Sequence, residues 1–281
     1  GRKAQEGTLR AVHAGGAAFD PYWAGEVVPA LNAGLLPPVV EGFERFRRAP
    51  SVAKGEAEYI ERELVEGKSS PYDSHPSLWE RLEAIARAPE PARAEDDDSP
   101  ALGLVDNIEK VEGELVNSLL TPEAAGTMRP VGWEAIGDEL YGRHYSELVL
   151  EHGFTVVGRG RLSDLPAIAA GLTARASTLR DQNDQLTGEA AHSLAGTVVG
   201  AALSLALQRQ GFSLHADPGD PVTLRRDEHT IEPFATLTAL ENGEMSADDW
   251  AQIQARAGVA DAPLLVAENT HPPPAAVTSP D

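Results

Sequence analysis

Eighteen consecutive residues without a charged side chain, from Ala190 to Leu207, constrain this chain more than any other stretch. A helix of that length and character either crosses a membrane or lies at the centre of a folded helical domain. The run holds His192, Ser193, Thr197 and Ser204, and alanine dominates it instead of leucine. That composition favours a buried central helix, the core of a second domain. Gly196, Gly200 and Ala201 would let neighbouring helices approach it closely.

Around this run the pattern is helical. Residues 2–14 read as a helix ended by Gly15-Gly16, and Asp20-Pro21 as the start of a second helix carrying Tyr22, Trp23, Val27 and Leu31. Pro37-Pro38 breaks the chain before a third helix with Val39, Phe43 and Phe46. Ser51 is placed to cap a fourth, with Ile60 and Leu64 inward and Glu58–Arg62 paired one turn apart. The aromatic residues Tyr22, Trp23, Phe43, Phe46 and Trp79 form either a core or a substrate-binding wall. Asp106 and Glu109 have capping-box spacing before Ile108, Val111, Leu115 and Leu119. Trp133, Ile136, Leu140, His144 and Leu148 share a stripe, and Ser163 is placed to cap a shorter helix through Leu172.

Beyond Gly211 the period changes to two. Phe212–Ala216, Val222–Leu224 and Thr230–Glu232, with a charged turn at Asp227-Glu228, predict a small β-hairpin or meander. Helices follow over Phe234–Leu240 and after Ser246, which has capping spacing to Asp249. The fold class expected is therefore mainly α, a multi-helix two-lobed arrangement with a small antiparallel β element near 212–232. The expected divisions are a helical region at 1–88, an acidic proline-rich linker at 89–104, a helical domain at 105–266 and a disordered tail at 267–281.

Composition narrows the partners. With 44 acidic against 23 basic side chains, the net charge of −21 disfavours nucleic acid and anionic membrane surfaces. There is no cysteine, so disulfides and thiolate metal sites are excluded. The Asp96–Asp98 run lacks the spacing of a calcium loop. His144 and His152 lie two turns apart with no acids fixed beside them, which makes them surface or core-edge residues and not metal ligands.

Chemistry concentrates in Ser69–Leu82, a loop feeding a helix. Pro76 fits a first helical position, and Ser77 with Glu80 has capping-box spacing one or two residues later. Leu78, Leu82 and Ile85 form the apolar stripe, which Arg81 borders. His75 stands at the helix mouth. A histidine and an arginine beside one helix start can hold a developing negative charge. The plainer reading makes His75-Pro76 a helix entry and Arg81 a residue whose stem covers apolar surface.

The segment Ser74-His75-Pro76-Ser77-Leu78-Trp79-Glu80-Arg81 resembles the Ser/Thr-His-Pro-x-Leu-x-x-Arg segment of membrane-embedded zinc metallopeptidases of the HtpX and CAAX prenyl protease type. The likeness is tight here and looser over residues 1–120. It implies peptide-bond hydrolysis in an intact membrane-anchored protein, with His75 and Arg81 stabilising the oxyanion. The chain has no His-Glu-x-x-His, and no two of its eight histidines are four apart. Zinc and its ligands would therefore come from upstream sequence, as the start at Gly1 instead of Met also leads one to expect.

The resemblance implies as partners the upstream membrane-embedded region of the same chain and a protein or peptide substrate. It also implies a cytoplasmic location for this region. The alternative, from the remaining residues, is a non-catalytic helical binding or regulatory module of a membrane protein.

Overall fold

The structure is a computed structural model that describes residues 1–67, 69, 75–89, 99, 101–183 and 185–266. It is mainly α-helical and divides into two compact units, Gly1–Trp133 with Asp217–Asp220, and Glu134–Ala216 with Pro221–Asp281.

In the first unit, helix α1 (Arg2–Tyr22) passes through a π turn (Trp23–Val27) directly into α2 (Val28–Asn32). The stop expected at Gly15-Gly16 does not occur. An interior glycine costs only about 1 kcal/mol relative to alanine, and α1 recovers this by packing against α3 (Val39–Arg48), α4 (Pro50–Glu66) and α5 (Leu78–Arg87). Pro21, which lacks an amide donor, is absorbed inside α1 immediately before the π turn. The helix ends where Gly34 adopts φ 75°, a left-handed conformation open to glycine.

The turn into α3 organises this unit. The Tyr22 hydroxyl donates to the Val39 carbonyl at 2.7 Å, and the Trp133 indole N–H donates to that of Pro38 at 2.9 Å. The Glu112 carboxylate accepts from the amides of Val39 and Val40 at 2.8 and 3.0 Å, capping α3 from 73 residues away in the chain. Burial, then the Glu112 and Glu26 carboxylates, push the Tyr22 phenol above its ordinary pKa. Gly42 is obligatory here, since a Cβ would lie 2.3 Å from the Tyr22 hydroxyl oxygen and 2.5 Å from the Trp133 ring. Tyr22 and Phe46 are core, with ring centroids 5.5 Å apart.

Segment 217–220 joins the same unit. The Gly219 amide donates to Glu26 at 3.0 Å, and the Ser51 hydroxyl donates to the Gly219 carbonyl at 3.2 Å. Ser51 is therefore not the cap of α4, which starts at Pro50 with Ala49 as its uncapped N-cap. Glu58 pairs with Lys54, not with Arg62, whose guanidinium lies over the Tyr59 ring.

The units separate between Trp133 and Glu134, not at 89–104. Helix α6 (Ile108–Leu119), the short α7 (Pro122–Ala125) and strand β2 (Arg129–Pro130) belong to the first unit, because Glu112 caps α3 and β2 pairs in parallel with β1 (Leu35–Leu36). This two-residue pair was outside the expected β region. Residues 90–98 and 100 of the expected linker lie outside the described residues, and its end, Ala101–Leu104, is a 3-10 turn.

The expected Asp106–Glu109 box is absent: Asn107 stands before α6 in a left-handed conformation with no side-chain cap. The stripe Val111, Leu115 and Leu119 faces outward, and Val116 is the buried residue of this helix.

In the second unit, α12 (Gly188–Gln208) is the centre. Its length and composition would suffice to cross a membrane, yet it packs against α9 (Arg143–Val156), α11 (Leu172–Gln182) and α13 (Pro233–Glu241), with a run from Val198 to Ser204 wholly buried. The helix that begins as α8 (Trp133–Ile136) changes phase through a π turn (Gly137–Gly142) before α9. That phase change moves the buried line to Tyr145, Val149 and Val156 and leaves His144 exposed, against the expected Leu140–His144–Leu148 stripe.

The 3-10 turn Leu162–Asp164 before α10 (Leu165–Ala170) is capped by Asp261, which accepts from the Ser163 amide at 3.0 Å and pairs with Arg161 at 2.6 Å. Ser163 itself caps nothing. These bonds hold the Asp261 carboxyl below its usual range, the Arg161 bond first among them.

Strands β3 (Ser213–His215), β4 (Thr223–Arg226) and β5 (His229–Ile231) form the expected antiparallel meander. Leu214, Leu224 and Ile231 stand opposite one another on its buried face. Asp227 turns the β4–β5 hairpin at φ 54°. Helix α14 (Ala247–Arg256) opens with the expected Ser246–Asp249 capping box, and the Trp250 indole donates to the Leu162 carbonyl at 2.7 Å. The expected tail, 267–281, lies outside the described residues.

Two glycines of α12 make contrasting predictions. A Cβ at Gly200 would sit 2.4 Å from the Phe234 ring, whereas at Gly196 the nearest atom is 3.8 Å away on Leu172. Gly200→Ala is expected to destabilise the chain by about 1–3 kcal/mol through overpacking. Gly196→Ala should be neutral or stabilising by up to about 1 kcal/mol through helix propensity. Urea unfolding midpoints of the two variants check the pair.

Candidate functional site

Helix α5 begins through a local device. The Ser77 hydroxyl accepts from the Glu80 amide at 3.3 Å, and the Glu80 carboxylate accepts from the Ser77 amide at 2.9 Å. This is the capping box of the Ser77–Glu80 spacing, so the first helical residue is Leu78, and Pro76 stands outside the helix. Ser69 reinforces it: its hydroxyl oxygen accepts from the Ser77 amide at 2.6 Å and its O–H donates to Glu80. Leu78 and Leu82 are buried, as their spacing predicts, and Ile85 is half-buried.

The box leaves both candidate residues in solvent. His75 is exposed in the bend before the cap, and Arg81 is exposed one turn into the helix. Among the described residues no hydrogen bond or ion pair holds either side chain. Arg81 lines an open groove of about 650 Å³, whose apolar walls include Leu9 and Val12 of α1 and Ala84 and Ile85 of α5. His75 does not line this groove. At the far end of α5 the Arg2 guanidinium donates to the Ala88 carbonyl at 2.7 Å, tying the two helices together. The arrangement offers an extended apolar channel with a cation beside it, able to take a peptide backbone or a carboxylate. Trp79, half exposed on α5, stands apart from the aromatic core of Tyr22 and Phe46.

Other titratable groups meet without chemistry having been read in them. On α1 and α4, His13 lies 3.5 Å from Glu63 and stacks on Tyr59 with ring centroids 5.6 Å apart. Burial, followed by the Glu63 charge, raises the Tyr59 phenol. Tyr59 also lines a pocket of about 270 Å³ walled by the small residues Ala14, Ala18 and Gly55. Only the wide sequence separation of His13 from Tyr59 hid this cluster. In the second unit, His192 pairs with Glu241 at 2.9 Å. His144 is exposed, and His152 is half-buried 3.5 Å from Glu151. Among the described residues no three His, Asp or Glu side chains are grouped to hold a metal ion.

The Ser69 hydroxyl and the Ser77 amide and hydroxyl, in that order, hold the Glu80 carboxyl below its usual range. A carboxylate lowered in the folded state stabilises the helix start above the ordinary carboxylate range. That contribution is lost as pH falls through its folded value. A carbon-detected NMR titration of Glu80 is expected to give a midpoint below that of a free glutamate, and Ser77→Ala should move it back upward. An ordinary midpoint in the parent chain would mean that the box does not form in solution.

No family model matches this chain, and no curated protein and no solved structure matches it.

Proposed function

We propose that this chain is the C-terminal region of a membrane-anchored zinc metalloendopeptidase resembling the HtpX and CAAX prenyl protease type, inactive by itself. The observation that carries the reading is the Ser74–Arg81 segment, with His75 and Arg81 both exposed around a helix start locked by its own capping box. Side chains without internal partners are available to an outside group, and a rigid helix start sets their spacing in advance.

The catalytic contribution of this chain would be electrostatic. Attack on a peptide carbonyl places negative charge on its oxygen. An imidazole N–H of His75 donates a hydrogen bond to that oxygen, and the Arg81 guanidinium adds positive charge beside it. This reading requires a His-Glu-x-x-His helix outside the present chain, which would hold the zinc and the general-base carboxylate; the zinc would supply carbonyl polarisation and water activation. The partners would be that upstream membrane-embedded region and a protein or peptide substrate, on the cytoplasmic side. A second reading, a non-catalytic helical binding or regulatory module of a membrane protein, is favoured by the outward apolar face of α6. The two are compatible.

His75→Ala in the full-length protein is expected to lower kcat by about two to three decades, the cost of one oxyanion donor at roughly 2.7–4 kcal/mol. KM should change little, because the ground-state carbonyl oxygen carries less charge. Metal content should be unchanged. The thermal midpoint of the present chain should also be unchanged by His75→Ala, since His75 is exposed. Wild-type turnover in the full-length variant would reduce His75 to a helix-entry residue and remove the catalytic half of the reading.

A further inference from the structure

We propose that the outer face of α6, with the 3-10 turn before it, is a docking surface for a basic amphipathic helix of a partner protein. Val111, Leu115 and Leu119 are 47, 50 and 59% exposed and stand four residues apart, so they form one continuous stripe. Leu102, Leu104 and Val105 extend it into the preceding turn. A depression of about 520 Å³ lined by Leu102, Val105 and Ile108 separates turn and helix. Isolated exposed leucines are ordinary, but a contiguous row of this kind marks an interaction site.

The stripe cannot turn inward. Val116, on the adjacent face that it shares with Glu112, is buried, and Glu112 holds the Val39 and Val40 amides. Rotating α6 to hide Leu115 would withdraw that carboxylate and leave two helix-start amides without an acceptor. Packing within the unit therefore holds the apolar face outward. Over Val111–Leu119 it presents about 12 Å of helix at 1.5 Å per residue, enough to engage anchors spaced i, i+3 or i+4, and i+7.

Charge selects the occupant. Residues 106–123 carry five carboxylates and one lysine. Lys110 pairs with Glu114 at 3.7 Å, and Glu112 is committed to α3. Asp106, Glu109 and Glu123 have no cationic partner among the described residues. A second copy would bring the same carboxylates face to face on a chain of net charge −21, and an anionic membrane would be repelled. The chain's own acidic run Glu95–Asp98 fails for the same reason, and Glu268–Asp281 carries no lysine or arginine to meet the acidic rim. A lysine- or arginine-flanked apolar helix meets both the stripe and its rim.

This inference does not rest on the peptidase reading, and its test uses the 281-residue chain with His75 and Arg81 left unaltered. The probe is an 18-residue amphipathic peptide of leucine and lysine, with a leucine–glutamate peptide of the same pattern as control, titrated by fluorescence anisotropy. The lysine peptide should bind and the glutamate peptide should not. Leu115→Asp should weaken binding at least tenfold, although it makes the surface more acidic. Glu109→Lys should weaken it and flatten its salt dependence. If circular dichroism shows Leu115→Asp to be unfolded, Leu119→Asp, at the most exposed of the three positions, replaces it.

Undiminished binding by the folded aspartate variant would reveal general adsorption to an acidic protein and overturn the proposal. Equal binding of the glutamate peptide would do the same. A dimer in sedimentation equilibrium that Leu115→Asp abolishes would assign the face to a second copy. Co-sedimentation with phosphatidylcholine vesicles abolished by the same substitution would assign it to lipid. Either outcome replaces the proposed partner.

Discussion

The amides of Val39 and Val40 enter α3 with no acceptor inside their own helix, and the first unit is built around answering them. Tyr22 and Trp133 donate to the carbonyls of Val39 and Pro38, and Glu112 accepts from two amides. A buried amide left without a partner costs about 1–3 kcal/mol, so these contacts constrain three distant parts of the chain at once. Gly42 has no room for a Cβ as a consequence. The same contacts explain why α6 and β2 fold with the N-terminal helices and why α6 presents its apolar stripe outward.

The second unit depends on a different constraint, the disposal of one apolar helix. Length and composition cannot distinguish a membrane span from a core helix, because both must hide apolar surface and satisfy every backbone group internally. Here α9, α11 and α13 surround α12, and its one fully buried hydroxyl, on Ser204, donates to the Gly200 carbonyl at 2.8 Å. Gly200 lets Phe234 close on the helix. Gly196, which looks equivalent in the sequence, meets only ordinary contact.

Arg81 lies on a helix whose start is fixed by a local capping box, and the side chains of His75 and Arg81 are both exposed. The box joins Ser77 and Glu80 across a single turn. The groove between α1 and α5 supplies apolar walls beside Arg81, while His75 stands outside them. The α6 face is open for the opposite reason: its stripe is apolar, and the structure commits the other side of the helix elsewhere.

Interactions closed within about four residues were legible in the sequence, among them the Ser77–Glu80 and Ser246–Asp249 boxes and the Asp227 hairpin turn, and so was the buried α12. Each depends on spacing that the sequence displays directly. What stayed hidden depended on partners far along the chain. Gly15-Gly16 looked like a stop because the packing that sustains α1 comes from later helices. Ser51 and Ser163 looked like caps because Gly219 and Asp261 lie about 100 residues away or more. The outward turn of the α6 stripe stayed hidden because apolar periodicity identifies a helix face without saying which face a tertiary contact will claim. Glu112 claimed the other one. The sequence by itself thus determined which segments are helical or extended, and the helix starts closed by local boxes at Ser77 and Ser246. Tertiary structure decided where they end, which faces they bury and where the units divide, because those outcomes turn on satisfying polar groups and filling space between residues distant in the chain.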